Sequence, residues 1–124
     1  EFRTGEPFEA RLAYEAKPGL PPPVFGVSFS TIYRLLIHGP NTLSSPVSGE
    51  FKPAGAVRFL VPRLPLLPGD YLFSAACYDR TLGNAHDHHE QMYHFRVAGA
   101  AESGPAAREF GCVKIDSRWE FGAP

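Results

Sequence analysis

An excess of charge of one sign is what this sequence most plainly lacks. Its 12 Lys and Arg stand against 13 Asp and Glu, a formal net charge of −1. A nucleic-acid partner asks for a basic face that releases counterions, and anionic lipid asks for clustered cations; neither is offered. No apolar run approaches the ~20 residues of a membrane span, and no secretory leader is visible. The opening Glu1-Phe2-Arg3, without Met, reads as the interior of a longer protein. Cysteine is scarce, with only Cys77 and Cys112. Both sit in or at the start of apolar runs, which reads as two buried thiols in a reducing compartment. A disulfide between strands is the alternative that sequence leaves open. Catalytic signatures are missing too. There is no Gly-x-Ser-x-Gly elbow and no Gly-x-x-x-x-Gly-Lys-Ser/Thr phosphate loop, and spacing alone identifies no carboxylate pair for glycoside cleavage. The reading is of a protein that is not an enzyme and needs no cofactor.

What the sequence has is proline, glycine and aromatics: 13 Pro, 12 Gly, ten Phe and five Tyr in 124 residues. Pro and Gly leave few stretches long enough for a helix. The remaining runs alternate with period two, as half-buried antiparallel strands do. Phe8 to Tyr14, Val24 to Thr31, Ala56 to Val61, Tyr71 to Tyr78, Gln91 to Val97 and Cys112 to Phe121 all follow this rule. Weaker strands are expected at Leu35 to His38 and Val47 to Phe51. Turn signals separate them, among them Lys17-Pro18-Gly19, Gly39-Pro40-Asn41 and Pro68-Gly69-Asp70. The expected fold is all-β, an immunoglobulin-like antiparallel β-sandwich of about 7–8 strands in one domain spanning residues 1–124. Pro65-Leu66-Leu67-Pro68-Gly69-Asp70-Tyr71 resembles the corner of such sandwiches, where a Tyr hydroxyl ties down a turn. Residues 98–109, small and broken by Gly99, Gly104 and Pro105, read as a flexible linker before a C-terminal strand, which is free to pair at home or in a second molecule.

Two clusters carry possible chemistry. His86-Asp87-His88-His89-Glu90, with His94 beyond, has the composition of a transition-metal site. Its spacing is poor, because on a strand His86 and His88 share one face while Asp87 and His89 take the other. A polar loop feeding a strand is the reading preferred here, with no metal. The second cluster is a sheet face. If Tyr71, Phe73, Tyr93, Phe95 and Val97 point inward, then Ser28, Ser30, Ser74, Tyr78, Met92, His94 and Arg96 point outward. Hydroxyls, a flat aromatic, a His and an Arg are the groups that hold sugars. Ser28, Ser30, Ser74, Tyr78, His94 and Arg96 are therefore the candidate carbohydrate-binding residues, against the alternative of an ordinary polar sheet surface.

The order of features along the chain resembles the C-terminal domain of Wzt, the nucleotide-binding subunit of bacterial O-antigen ABC transporters. The resemblance rests on Phe2-Arg3-Thr4-Gly5-Glu6-Pro7-Phe8, Pro23-Val24-Phe25-Gly26-Val27-Ser28-Phe29 and Gly39-Pro40-Asn41-Thr42. It continues through Val57-Arg58-Phe59-Leu60-Val61-Pro62-Arg63-Leu64-Pro65-Leu66-Leu67-Pro68-Gly69-Asp70-Tyr71, Asp87-His88-His89-Glu90 before Phe95-Arg96-Val97, and Gly111-Cys112-Val113 with Trp119. It implies a non-catalytic module that recognises the capped terminus of an O-polysaccharide and couples chain completion to export. The implied partners are the polysaccharide's terminal residues, the parent ATPase domain, the transmembrane transporter subunit and a second copy, since such domains can dimerise by exchanging the last strand. The implied place is cytoplasmic, at the inner face of the bacterial inner membrane. A dimerisation or protein-interaction module without glycan binding is the alternative.

Overall fold

The computed structural model describes residues 1–45, 47–79, 85–98 and 109–123, with the stretch 85–92 described by its backbone alone. The chain runs through six strands: β1 Phe8–Glu15, β2 Val24–Thr31, β3 Leu36–His38, β4 Ala54–Val61, β5 Gly69–Tyr78 and β6 Ala85–Val97. No helix occurs among the described residues. The strands form two antiparallel sheets, one in the order β3-β2-β5-β6 and one of β1-β4 alone. In β1 and β4 the alternation matches the expected faces. Phe8, Ala10, Leu12 and Tyr14 on β1, and Val57, Phe59 and Val61 on β4, turn inward, and the residues between them are exposed. A two-stranded sheet laid on a four-stranded one leaves edges open, and the concave features of the molecule lie along them.

The core gathers at one pole. Phe8 sits among the rings of Phe2, Phe29, Phe73 and Phe95, with centroids 4.9–5.7 Å away where they are tilted or edge-on to it. Rings meeting edge-to-face bury a large apolar area and add a quadrupole attraction. Val27, Leu64, Leu66, Tyr71 and Val97 complete the cluster. The expected corner is present. The Tyr71 hydroxyl donates to the carbonyl of Leu67, four residues upstream, and lies 3.4 Å from the carbonyl of Cys112. Burial, with a smaller electrostatic contribution from Cys112, pushes this phenol up to about 12. The N-terminal end is tied to the same pole. Phe2 bridges to Val97, donating its N–H to Arg96 and accepting from Ala98.

Three expectations meet a different outcome. Val47 to Phe51 is not a strand, because Gly49 takes a positive φ of 90° that extended pairing does not allow. Of the expected strand from Cys112 to Phe121, only Val113 forms a bridge, to Leu66, and Lys114 adds a backbone bond to Pro65; residues 115–121 form no strand among the described residues. The described residues therefore hold six strands, where about 7–8 were expected. Ala98, taken as the start of the linker, is buried and belongs to the end of the sheet; residues 99–108 lie outside the described residues. Neither Cys77 nor Cys112 is in a disulfide, and each is half-buried.

Candidate functional site

Register decides which of the sequence candidates share a face. Ser28 stands opposite Ser74, Ser30 opposite Leu72 and Val24 opposite Tyr78, while Leu72 faces His94 and Asp70 faces Arg96. Because side chains alternate along each strand, Ser28, Ser30, Ser74, Tyr78, His94 and Arg96 all fall on the outer face of the four-stranded sheet. Two of the six are nevertheless corrected. Ser30 is 2% exposed and Ser74 6%, so neither hydroxyl is presented to a ligand. Both belong to the two central strands, where a side chain of two heavy atoms sinks below longer neighbours such as Leu72. Ser28 and Tyr78 are half-buried, and only His94 and Arg96 are exposed. His94 is already engaged, its Nε2 3.4 Å from an Asp70 carboxylate oxygen. As a sugar platform this face is thinner than the alternation suggested. The side chains of His86 to Met92 lie outside the described residues, and among the described ones no cluster of three metal-ligating side chains occurs.

Sequence reasoning passed over two concavities between the sheets. The smaller, about 370 Å³, lies where β1 crosses the inner face of β5 and β6. Small side chains (Ala10, Ala13, Ala75 and Ala76) leave the space, and Phe25, Cys77 and Tyr93 line it further. The larger is a groove of about 1190 Å³ between β4 and the segment that runs beside β2 from Pro40 to Ser45. Its end away from the packed core is aromatic. Tyr14 lies 5.0 Å from Phe25, and 5.5 Å from Phe51 with the two rings within 7° of parallel. Gly55 stands opposite Tyr14 in the register, and a Cβ there would come within 3.4 Å of the Tyr14 hydroxyl. The Tyr14 ring lies across the strand over this glycine, close enough that a side chain larger than a methyl would press on it.

The wall of the groove opposite β4 mixes the apolar side chains of Leu43 and Val47 with a hydrogen-bonded polar turn. Asn41 builds a side-chain turn, its Oδ1 accepting the N–H groups of Leu43 at 2.8 Å and Ser44 at 3.0 Å. Thr42 Oγ1 accepts the N–H of Phe25 at 3.1 Å, and Thr42 N–H returns a bond to the Phe25 carbonyl. Arg58 also lines the groove, but its Nε donates to Glu9 at 2.6 Å. That bond holds the Glu9 carboxyl below its usual range and raises the Arg58 guanidinium. The cue legible in sequence was Gly39-Pro40-Asn41-Thr42, read there as a turn and as part of the family resemblance. The placing of Tyr14 over Gly55 is a matter of register, which the sequence does not print.

A four-on-two antiparallel sandwich pinned by a tyrosine corner defines an immunoglobulin-like β-sandwich module. The family follows from the sequence itself: the chain belongs to the Wzt C-terminal domain family, whose model matches residues 1–115. Among solved structures, it is similar to the crystal structure of the C-terminal domain of Wzt, with a TM-score of 0.70 and 17% identity over 98% of this chain and 74% of that one. At that identity the likeness speaks for the fold. No curated protein matches the sequence.

Proposed function

We propose that this chain is a non-catalytic carbohydrate-binding module that recognises the terminal residues of an O-antigen polysaccharide and so selects finished chains for export by an ABC transporter. The observation that carries this reading is the family match across residues 1–115. In it, the parent ATPase domain and the transmembrane transporter subunit are the partners, and the working place is the cytoplasmic side of the bacterial inner membrane. No helix among the described residues is long and apolar enough to cross a membrane. Ser28, Tyr78, His94 and Arg96 offer the outer sheet face as a contact surface. The test is calorimetric titration with the O-polysaccharide of the source organism and with an unrelated one. Binding to the native polymer alone supports the reading, and equal or absent binding removes it.

A second reading concerns the homodimer, and the C-terminal segment favours it. Ile115, Trp119 and Phe121, all on one parity, are exposed, the last two almost wholly, on a stretch after Lys114 that forms no strand among the described residues. Apolar side chains in such an alternation are the hallmark of a strand awaiting a sheet, and the two-stranded β1-β4 sheet has unpaired edges to receive it. In this reading two copies exchange these segments. Sedimentation of the full chain beside a chain ending at Asp116 tests it: a dimer that becomes a monomer on truncation supports exchange, and an unchanged assembly state refutes it.

A further inference from the structure

We infer that the polysaccharide lies in the groove between β2 and β4, with its sugar rings on the aromatic shelf of Tyr14, Phe25 and Phe51, and not chiefly on the outer sheet face. The inference rests on the glycan-binding reading above and adds the place and the character of the ligand. Size is the first argument. Pockets for a drug-sized ligand measure roughly 300–1,000 Å³, and a groove of about 1190 Å³ accommodates a short run of sugars. Chemistry is the second. A pyranose has an apolar C–H face that lies flat on an aromatic ring, and hydroxyls around its rim that need donors and acceptors. Tyr14 and Phe51 supply nearly parallel rings that stack on one another, with Phe25 beside Tyr14 and Gly55 opposite it.

Preorganisation is the third argument. The Asn41 turn uses the carboxamide oxygen twice and leaves its NH₂ group with no partner among the described residues. Thr42 accepts through its hydroxyl oxygen and keeps its own O–H to donate. Donors held by the protein's own turn lose little freedom when a ligand arrives. Charge is the fourth. The charged side chains of the groove are Arg58, neutralised by Glu9, and Glu50 on the rim. No unpaired cation is there to take an anionic group, so the groove suits a neutral stretch of glycan. On the outer face, by contrast, two of the expected hydroxyls are buried and His94 is engaged by Asp70.

The test is calorimetry of the full chain with the O-polysaccharide of the source organism, using two variants. Phe51→Ala removes one of the three rings of the shelf. Gly55→Val keeps Tyr14 but lifts its ring, and a β-branched residue is at home in a strand, so a folding defect is not expected. Each variant, with native dispersion in its NMR spectrum, is expected to bind about tenfold more weakly or worse. Wild-type affinity in both overturns the groove while leaving glycan binding standing. A loss confined to Arg96→Ala places the polymer on the outer face and also overturns it. An unmodified chain that binds no polysaccharide removes both readings. A synthetic peptide of residues 110–124 that shifts the Phe51 and Gly55 resonances gives the groove to a second copy's tail and overturns the inference as well.

Discussion

Two apolar stretches of this chain meet opposite fates. Leu64, Leu66 and Leu67 lie in an irregular loop and are among the most buried residues in the molecule. Ile115, Trp119 and Phe121 follow a strand-like alternation and are exposed. The loop is buried because its backbone is held. Gly5 donates to Leu64, Leu64 to Glu6, Leu67 to Cys112, and Tyr71 to Leu67. After Lys114 the tail has no comparable anchor. Alternation states a demand for burial, and hydrogen bonding decides whether one chain can meet it.

That contrast can be broken from either side. The largest effect is expected at the packed pole. Phe8→Ala removes a ring touching four others and should cost about 3–5 kcal/mol, read as a lower urea midpoint. Truncation sharpens the contrast. A chain ending at Glu109 loses the bonds of Cys112 and Lys114 to the corner and should lose about 1–3 kcal/mol. A chain ending at Asp116 keeps those bonds, so it should be as stable as before, and in the strand-exchange reading it should no longer dimerise. Equal stability of the two truncations would show that the corner does not depend on the tail.

Tyr71→Phe tests the anchor itself and should cost about 1–2 kcal/mol. Its pH signature has a definite sign. The folded phenol titrates at about 12, above the ordinary value of 10. Its contribution is therefore complete below pH 10 and lost as the pH rises toward 12, so the stability gap between wild type and Tyr71→Phe should narrow across that window. The smallest effect belongs to the exposed Arg58–Glu9 pair, where Glu9→Gln should leave the urea midpoint unchanged within error.

Much of this architecture was legible in the sequence because its cause is local. Period-two runs gave the principal strands, and Pro68-Gly69 before Tyr71 gave the corner. The face shared by the six candidates was also legible, since strand parity fixes it. Their accessibility was not. Ser30 and Ser74 are buried because of what stands beside them across the sheet, and neighbours across a sheet are set by register. The groove was hidden for a related reason. It is built by the register that sets Tyr14 opposite Gly55, two residues far apart in the chain, and by a β4 edge that no third strand covers among the described residues. The partnerless tail shows the converse case, a strand pattern that a single copy cannot satisfy.

The clasp of Phe2 on the end of β6 bears on the order in which the molecule assembles. Its two hydrogen bonds join positions separated by most of the chain. The β5-β6 pair, by contrast, joins neighbours in sequence. Contacts that close long loops carry the larger entropic penalty and form once shorter loops have closed. The clasp is therefore expected among the last contacts made, and its amide hydrogens among the earlier ones to exchange with deuterated solvent. Until it closes, Phe2 and the Phe8 it covers remain open to water and to other unfinished chains, so aggregation during refolding should depend on how fast this N-terminal turn finds β6.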